Sequence, residues 1–514
     1  MAFTVDAAIR WWARECPDHI ALSFDGEDCS WRDLYAWAGR VGAHLQARGV
    51  KPGDRVSVIA ANSLEYAVLI VALLRIGAVG APMNFRSAVT EVRDAWHKFT
   101  PAFLFADDDR SAVAAEAVGD VAGDRLRLLS EIRAFQHGEP VAPDHAPQQD
   151  APLFIIGTSG STAHPKGVVY TNFMVMTYTC EFALMEPRCG RGSSVLCLGP
   201  FSSASGYLVM LQFLSAGATV FMESRFDPER ALQLLVERRI NSYLGAPIFF
   251  ERLAALPAFA DADLSSLHFA QVGGARVGSA LQQAWNAKGV VLRQAYGCTE
   301  AGGAWAARDD IALSAPEKCG RGGIFTEYAI RAEDGSFAPP GTPGEILIRG
   351  PYVTTGYWDN PEATEEALRG GWLHTGDMGV MDAEGNLTFL NRIKDIIISG
   401  GLNVSAAELE RVIGELDGVQ EVAVVPTADD QFGETPVAVI HGDLDKLSVE
   451  AVLAHCGRHL ARYKLPGYIV IEREPLPRLT SGKIAKPAIR DKYSDAAKRL
   501  QKARTINLNA RRTG

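Results

Sequence analysis

Between residues 31 and 106 the apolar side chains recur at two spacings, and the switching between them is the first clue to the fold. From Trp31 to Ala47 they fall on one helical face, and the run stops at Gly49. Residues 55–60 form a short β-rich run, 64–74 return to helical spacing, and 102–106 are strand-like again. Further strand-like runs follow at 153–156, 194–198 and 218–222. Strands separated by helices predict an α/β fold with parallel sheets made of βαβ units. After Tyr328 the strands shorten and turn signals multiply, at Glu333-Asp334-Gly335, Pro339-Pro340-Gly341 and Ala383-Glu384-Gly385-Asn386, as in a β-rich subdomain. Beyond Arg392 comes a compact α+β pattern: helix at 406–413, strands at 419–425 and 437–441, helix at 449–460. The expected division is a large N-terminal domain over 1–391, a hinge at 392–395, a small C-terminal domain over 396–495 and a basic tail over 496–514. The Ala/Asp/Pro-rich stretch 139–151 reads as an exposed linker, and there is no internal repeat.

Composition narrows the class. At 514 residues the chain exceeds what one hydrophobic core supports, in keeping with several domains. Its 47% hydrophobic and 22% charged residues exclude wholesale disorder and fibres. A net charge of −10 with the signs interspersed argues against nucleic acid as a partner, and the basic stretch 498–512 reads as a frayed tail. The eight cysteines show no CxxC and no zinc-like spacing, which fits reduced cytoplasmic thiols. Asp6, Arg10, Arg14 and Glu15 break up the N-terminus before a signal peptide can form. The longest apolar runs, 67–83 and 207–222, are interrupted by Arg75 and Gln212 and are short for a membrane span. They are expected to be buried helices.

Five segments carry candidate chemistry. Directly after the apolar run 153–156 comes Thr158-Ser159-Gly160-Ser161-Thr162-Ala163-His164-Pro165-Lys166-Gly167. A strand feeding a loop of hydroxyls, glycines and one lysine suits a polyphosphate, although the same stretch alone reads equally as a flexible surface turn. The segment is not a GxxxxGK[ST] loop, because Pro165 and Gly167 stand where that pattern needs Gly and Ser/Thr. Gln294-Ala295-Tyr296-Gly297-Cys298-Thr299-Glu300 offers an aromatic, a hydroxyl and a carboxylate to a base, a phosphate and Mg2+. Taken alone, Thr299 is better read as a helix N-cap. The others are Trp372-Leu373-His374-Thr375-Gly376-Asp377 with Arg392 and Lys394, then Ser399-Gly400-Gly401-Leu402-Asn403, then Pro477-Arg478-Leu479-Thr480-Ser481-Gly482-Lys483.

In this order the five segments resemble the adenylate-forming superfamily of acyl- and aryl-CoA synthetases, firefly luciferase and nonribosomal adenylation domains. The likeness runs from Ser30-Trp31-Arg32-Asp33-Leu34 and Lys51-Pro52-Gly53-Asp54-Arg55 to Lys483. It implies a large N-terminal domain of two βα-sheet subdomains plus a distorted β-barrel, and a small mobile C-terminal domain. It further implies ATP, Mg2+ and coenzyme A as cofactors and a small carboxylic acid as substrate, and leaves a homodimer as an allowed assembly. Under the resemblance Thr158, Ser159, Gly160, Ser161, Thr162 and Lys166 hold the β- and γ-phosphates. Gly273, Gly274, Ala275 and Tyr296 form the adenine site, Thr299 touches the α-phosphate, and Glu300 binds Mg2+. Asp377 holds the ribose with help from Arg392, Lys394 is the hinge, Gly401 borders the pantetheine tunnel, and Lys483 bridges the carboxylate and the α-phosphate.

The implied chemistry is ATP-dependent formation of an acyl-adenylate, then transfer of the acyl group to coenzyme A. The acyl pocket is expected to draw on Phe201, Ser203, Tyr207, Ala246, Ala295 and Gly297. These offer no lysine or arginine for a second carboxylate, which favours an aryl, alicyclic or medium-chain monocarboxylic acid. The chain departs from the family pattern at Ala163, at Ser203 where relatives often carry His, and at Leu402 and Ala406 in place of Glu and Pro. The Ser203 change keeps open an amine or a carrier-protein thiol as the acceptor.

Overall fold

The computed structural model describes residues 3–503 except 143, 144, 146, 159–165, 275, 276, 394, 395, 400, 401, 430, 431, 461–463, 480 and 481. It divides into two compact units, Met1–Tyr328 with Leu347–Thr375, and Ala329–Ile346 with Gly376–Gly514.

The first unit carries the expected βα-built sheets. One has six strands in the order Leu126–Leu128, Phe103–Ala106, Arg55–Ile59, Val79–Met83, Pro152–Thr158, Lys166–Thr171. The other has eight, in the order Gly303–Ala306, Leu292–Cys298, Phe269–Gly273, Ser242–Gly245, Ser194–Cys197, Thr219–Met222, Ile20–Phe24, Glu27–Ser30. Their interior strands run parallel, whereas Lys166–Thr171 and Gly303–Ala306 are antiparallel edges.

The helix Trp31–Ala47 matches its pattern end to end, starting where the Ser30 side chain accepts from Asp33 N. The two long apolar runs are not single helices. Each is a helix followed by a strand: Leu64–Ile76 then Val79–Met83, and Ala204–Ser215 then Thr219–Met222. A glycine in the left-handed region breaks each run, Gly77 at φ 69° and Gly217 at φ 80°. Hydrophobicity alone cannot see this break, because both elements are buried. Among the described residues no helix is long and apolar enough to cross a membrane.

The short strands expected after Tyr328 appear as Glu327–Arg331, Gly344–Arg349, Leu373–Met381 and Leu387–Arg392, one sheet in that order. In the second unit a further sheet, including Val419–Asp429, Gly433–Gly442 and Tyr468–Glu472, packs with the helices Ala406–Gly414 and Val449–His459 around a common core. All eight cysteines carry free thiols.

Candidate active site

In the eight-stranded sheet the chain lays down Ser194–Cys197, adds Thr219–Met222 on one side, then returns to add Ser242–Gly245 on the other. Such a reversal marks the carboxyl ends of the flanking strands as the place where open α/β sheets bind ligands. Register brings Gly245 beside Val272 and Gly273 beside Ala295. Ala246, Gly273, Gly274, Ala295 and Gly297 therefore share one sheet edge. Gly274 has φ 83°, and the backbone there turns as a side-chain-bearing residue rarely does.

The loop after Ser194–Cys197 completes that edge. Asn62, in the loop after the strand Arg55–Ile59, donates its Nδ2 to Gly199 O at 2.9 Å and accepts from Phe201 N at 2.8 Å. A Cβ on Gly199 would lie 2.4 Å from Ser205 O, so only glycine allows this approach. Ser203 Oγ bonds to Pro200 O at 2.9 Å and meets Ser205 Oγ at 2.8 Å. Phe201 and Tyr207, expected in the acyl pocket, are buried: Phe201 meets Tyr66 edge-on at 5.1 Å, and Tyr207 stacks on Phe154 at 4.3 Å. Tyr296 is likewise buried, its ring edge-on to Tyr328 at 6.1 Å.

The turn after Leu292–Cys298 is held from three distant segments. Tyr170 donates its hydroxyl to Thr299 O at 2.6 Å, Thr354 N donates to Glu300 O at 2.8 Å, and Tyr357 donates its hydroxyl to Glu300 Oε1 at 2.9 Å. Burial, ahead of the neighbouring Glu300 charge, holds the Tyr357 phenol protonated well above its ordinary range. Cys298, not Thr299, precedes the short 3-10 turn, and no side chain caps it. The Thr299 hydroxyl is thus not spent as the N-cap that its local sequence suggests. Gly302, at φ 70°, sits so close to Tyr352 O that a Cβ would be 1.9 Å away.

Behind this turn lies Glu181, fully buried, with no lysine or arginine among its hydrogen-bond partners in the described residues. It accepts from Trp305 Nε1 at 2.9 Å, from Thr326 Oγ1 at 3.1 Å, and from the Tyr352 hydroxyl and Phe325 N. A buried carboxylate with four donors ties the helix Asn172–Met185 to three later segments.

Lys166 begins the antiparallel partner of Pro152–Thr158, with Thr158 opposite it in register. Its Nζ lies 4.9 Å from the centre of the Tyr357 ring. The expected phosphate-loop residues Ser159, Gly160, Ser161 and Thr162, the adenine-site Ala275, and Lys394 and Gly401 lie outside the described residues.

Glu300 is the donor set's test for a hard cation. Only its Oε1 carries a hydrogen bond among the described residues, from a neutral phenol, so its charge is not neutralised there. One carboxylate oxygen is thereby left in keeping with Mg2+, which binds through one or two carboxylates plus substrate phosphates.

In the second unit Asp377 and Arg392 are register partners, with Arg392 Nε 3.5 Å from Asp377 Oδ1. Asp377 is 6% exposed, while the Arg392 side chain is 60% exposed. Lys483 stands exposed on a tight hairpin in which Leu479 N donates to Lys483 O at 2.7 Å. Arg478 pins that hairpin, donating to Gly482 O at 2.5 Å and to Glu421 Oε1 at 2.6 Å, while Glu421 Oε2 accepts from Leu476 N at 2.6 Å.

A cavity of about 460 Å³ opens at the opposite edge of the eight-stranded sheet, among Ser194, Thr219, Asn241 and His268. Its two arginines, Arg238 and Arg239, are paired with Asp28 and Asp263. None of the expected site residues line it.

Residues 9–358 match the family model of the AMP-binding enzymes, and residues 408–483 match the model of the AMP-binding enzyme C-terminal domain. The chain belongs to the AMP-binding enzyme family. This AMP-binding enzyme is 34% identical to a feruloyl-CoA synthase of Amycolatopsis over 94% of its length and 97% of the relative's. It is 33% identical to a long-chain-fatty-acid–CoA ligase of Mycobacterium tuberculosis, over 90% of this chain and 93% of that one. Its structure is similar to the amide bond synthetase of Marinactinospora thermotolerans, with a TM-score of 0.85, 26% identity, and coverage of 95% and 100%.

Sequence reasoning missed the residues that hold this site rather than form it: Asn62, Glu181, Tyr357 and Glu421. Their partners lie far along the chain, up to 171 residues for Glu181 and Tyr352, beyond any local pattern.

Proposed function

We propose that the chain is an AMP-forming acid–coenzyme A ligase acting in the cytosol on an aryl, alicyclic or medium-chain monocarboxylic acid. The observation that carries this reading is identity of at least 33% along at least 90% of the chain with two acid–CoA ligases. A carboxylate cannot lose oxygen to a thiol at neutral pH without a better leaving group. One carboxylate oxygen therefore attacks the α-phosphorus of ATP, and the bond to pyrophosphate breaks. The thiolate sulfur then attacks the acyl carbon, and AMP departs with the bonding pair and that oxygen.

The chain's residues divide this work. Thr158, Ser159, Gly160, Ser161, Thr162 and Lys166 hold the β- and γ-phosphates, and Thr299 the α-phosphate. Glu300 holds Mg2+, whose charge offsets that of the phosphates when it is bound. Adenine lies beside Gly273, Gly274, Ala275 and Tyr296, and the ribose against Asp377 and Arg392. Lys483 aims its ammonium at the oxygens where charge develops. The acyl group is taken at the sheet edge near Ser203, Ala246, Ala295 and Gly297, with Phe201 and Tyr207 behind it. The adenylation domain is 1–391, and the domain 396–495 turns about the hinge 392–395 at Lys394, exchanging Lys483 for Gly401 before the thiol arrives.

A second reading, transfer to an amine, is favoured by Ser203 and by the likeness to an amide bond synthetase. The test is pyrophosphate release with Mg-ATP and a panel of aryl, alicyclic and C2–C16 acids, each with and without coenzyme A. The ligase reading expects one acid class to give an acyl-CoA by mass, with turnover dependent on coenzyme A. Turnover indifferent to coenzyme A and raised by simple amines contradicts it and selects the second reading.

A further inference from the structure

One side chain touches both charged groups of the first unit's site. Tyr357 donates its hydroxyl hydrogen to Glu300 Oε1 at 2.9 Å, while Lys166 Nζ lies 4.9 Å from the centre of its ring. Backbone contacts fix the segment that carries that ring. Residues 356–358 run antiparallel to the strand Lys166–Thr171, with Val169 N donating to Gly356 O at 3.1 Å and Trp358 N to Gly167 O at 2.7 Å. Tyr357 N donates to Thr364 Oγ1 at 2.9 Å.

We propose that Tyr357 is a positioning residue of the nucleotide site. Its hydroxyl sets which oxygen of Glu300 faces the divalent cation, and its ring seats Lys166 next to that carboxylate until polyphosphate draws the ammonium away. The proposal rests on the roles given above to Glu300 and Lys166.

The physical grounds are separate for the two contacts. The terminal torsion of a glutamate is broad, so an untethered carboxylate presents either oxygen over a wide range of angles. Pinning Oε1 removes that freedom before the cation binds, the general advantage of preorganised ligands. A neutral phenol does this without cancelling the carboxylate's charge, which an arginine or lysine would do. The ring attracts the ammonium through its quadrupole, an attraction weak enough for a polyphosphate to overcome.

Phenylalanine keeps the ring and loses the hydroxyl, whereas leucine loses both, so the two contacts are separable. ATP binding to the full chain is measured by calorimetry across a Mg2+ titration, and again in chelator, for wild type, Tyr357→Phe, Tyr357→Leu and Glu300→Gln. Tyr357→Phe is expected to raise the Mg2+ midpoint about tenfold while leaving Mg2+-free ATP binding unchanged, the worth of one hydrogen bond to a charged group. Tyr357→Leu is expected to raise the midpoint equally and also to weaken Mg2+-free binding. If Tyr357→Leu melts early, Tyr357→Phe alone carries the test. A wild-type midpoint in Tyr357→Phe alongside a shifted one in Glu300→Gln overturns the role of Tyr357 and leaves the site reading intact. An unshifted midpoint in Glu300→Gln overturns both.

Discussion

The two charged groups at the centre of the proposed chemistry are held in opposite ways. Glu300 is half-buried, and its turn is fastened by Tyr170, Thr354 and Tyr357, with the buried Glu181 cluster behind them. Lys483 is exposed, and the fastenings around it are mostly local: Leu479 N to Lys483 O, and Arg478 to Gly482 O. Glu421 reaches in from a distance to Arg478. A group that stays with the nucleotide through both half-reactions benefits from a rigid, long-range brace. A group needed in one half-reaction and absent from the other is better carried on a self-contained loop.

The sharpest way to break that contrast is to remove each group's function and ask what else falls. Lys483→Ala is expected to slow acyl-adenylate formation about 10²–10³-fold, leaving the melting temperature and thioester formation from supplied acyl-adenylate unchanged. Half-reaction kinetics in stopped flow check this, and equal loss in both halves contradicts the assignment. Next in size comes Glu181→Leu, which strands the Trp305, Thr326 and Tyr352 donors in the interior. At about 1–3 kcal/mol for each buried unsatisfied group, the first unit should melt well below wild type by calorimetry, and Mg-ATP affinity should fall with it. An unchanged melting profile shows that Glu181 braces nothing.

Arg478→Ala is expected to have a smaller effect. It loosens the Lys483 hairpin without touching a core, so adenylation should slow about tenfold with no change in melting. A loss of stability instead shows that the Glu421–Arg478 pair holds up the second unit rather than the lysine.

The smallest effect is a pH control away from both regions. Burial, then a shared hydrogen bond with Asp25 and that group's charge, push the Glu223 carboxyl up to about 7 from 4.5. The stability supplied by its protonated form is complete below about pH 4.5 and is lost as pH rises through about 7. Glu223→Gln cannot lose that proton. Its melting temperature should therefore gain on wild type above pH 7, with adenylation unaltered. A constant offset across that range contradicts the shift.

The same contrast explains what could be read in the chain. The helix Trp31–Ala47, the strands at the sheet centres and the order of the five segments were legible, because each is written in local spacing. Lys483 was singled out only through the family resemblance, since a lone lysine beside a glycine reads locally as a solvated loop. The helix-to-strand breaks at Gly77 and Gly217 were not legible, since burial erases amphipathic periodicity on both sides of the turn. Thr299 misled as a cap candidate because the 3-10 turn begins one residue earlier than a helix of that local sequence would. Tyr357, Glu181 and Asn62 carried no signal at all. Their importance exists only once segments 57 to 171 residues away are beside them.

The central claim is that the acid's own oxygen bonds to the α-phosphorus, and isotope transfer tests it most directly. Turnover of an accepted acid labelled with oxygen-18 in its carboxyl group, with Mg-ATP and coenzyme A, should give AMP carrying one labelled oxygen and an acyl-CoA retaining the other. Label recovered in inorganic phosphate, with ADP as the nucleotide product, would contradict acyl-adenylate chemistry and with it the roles given to Thr299, Glu300 and Lys483.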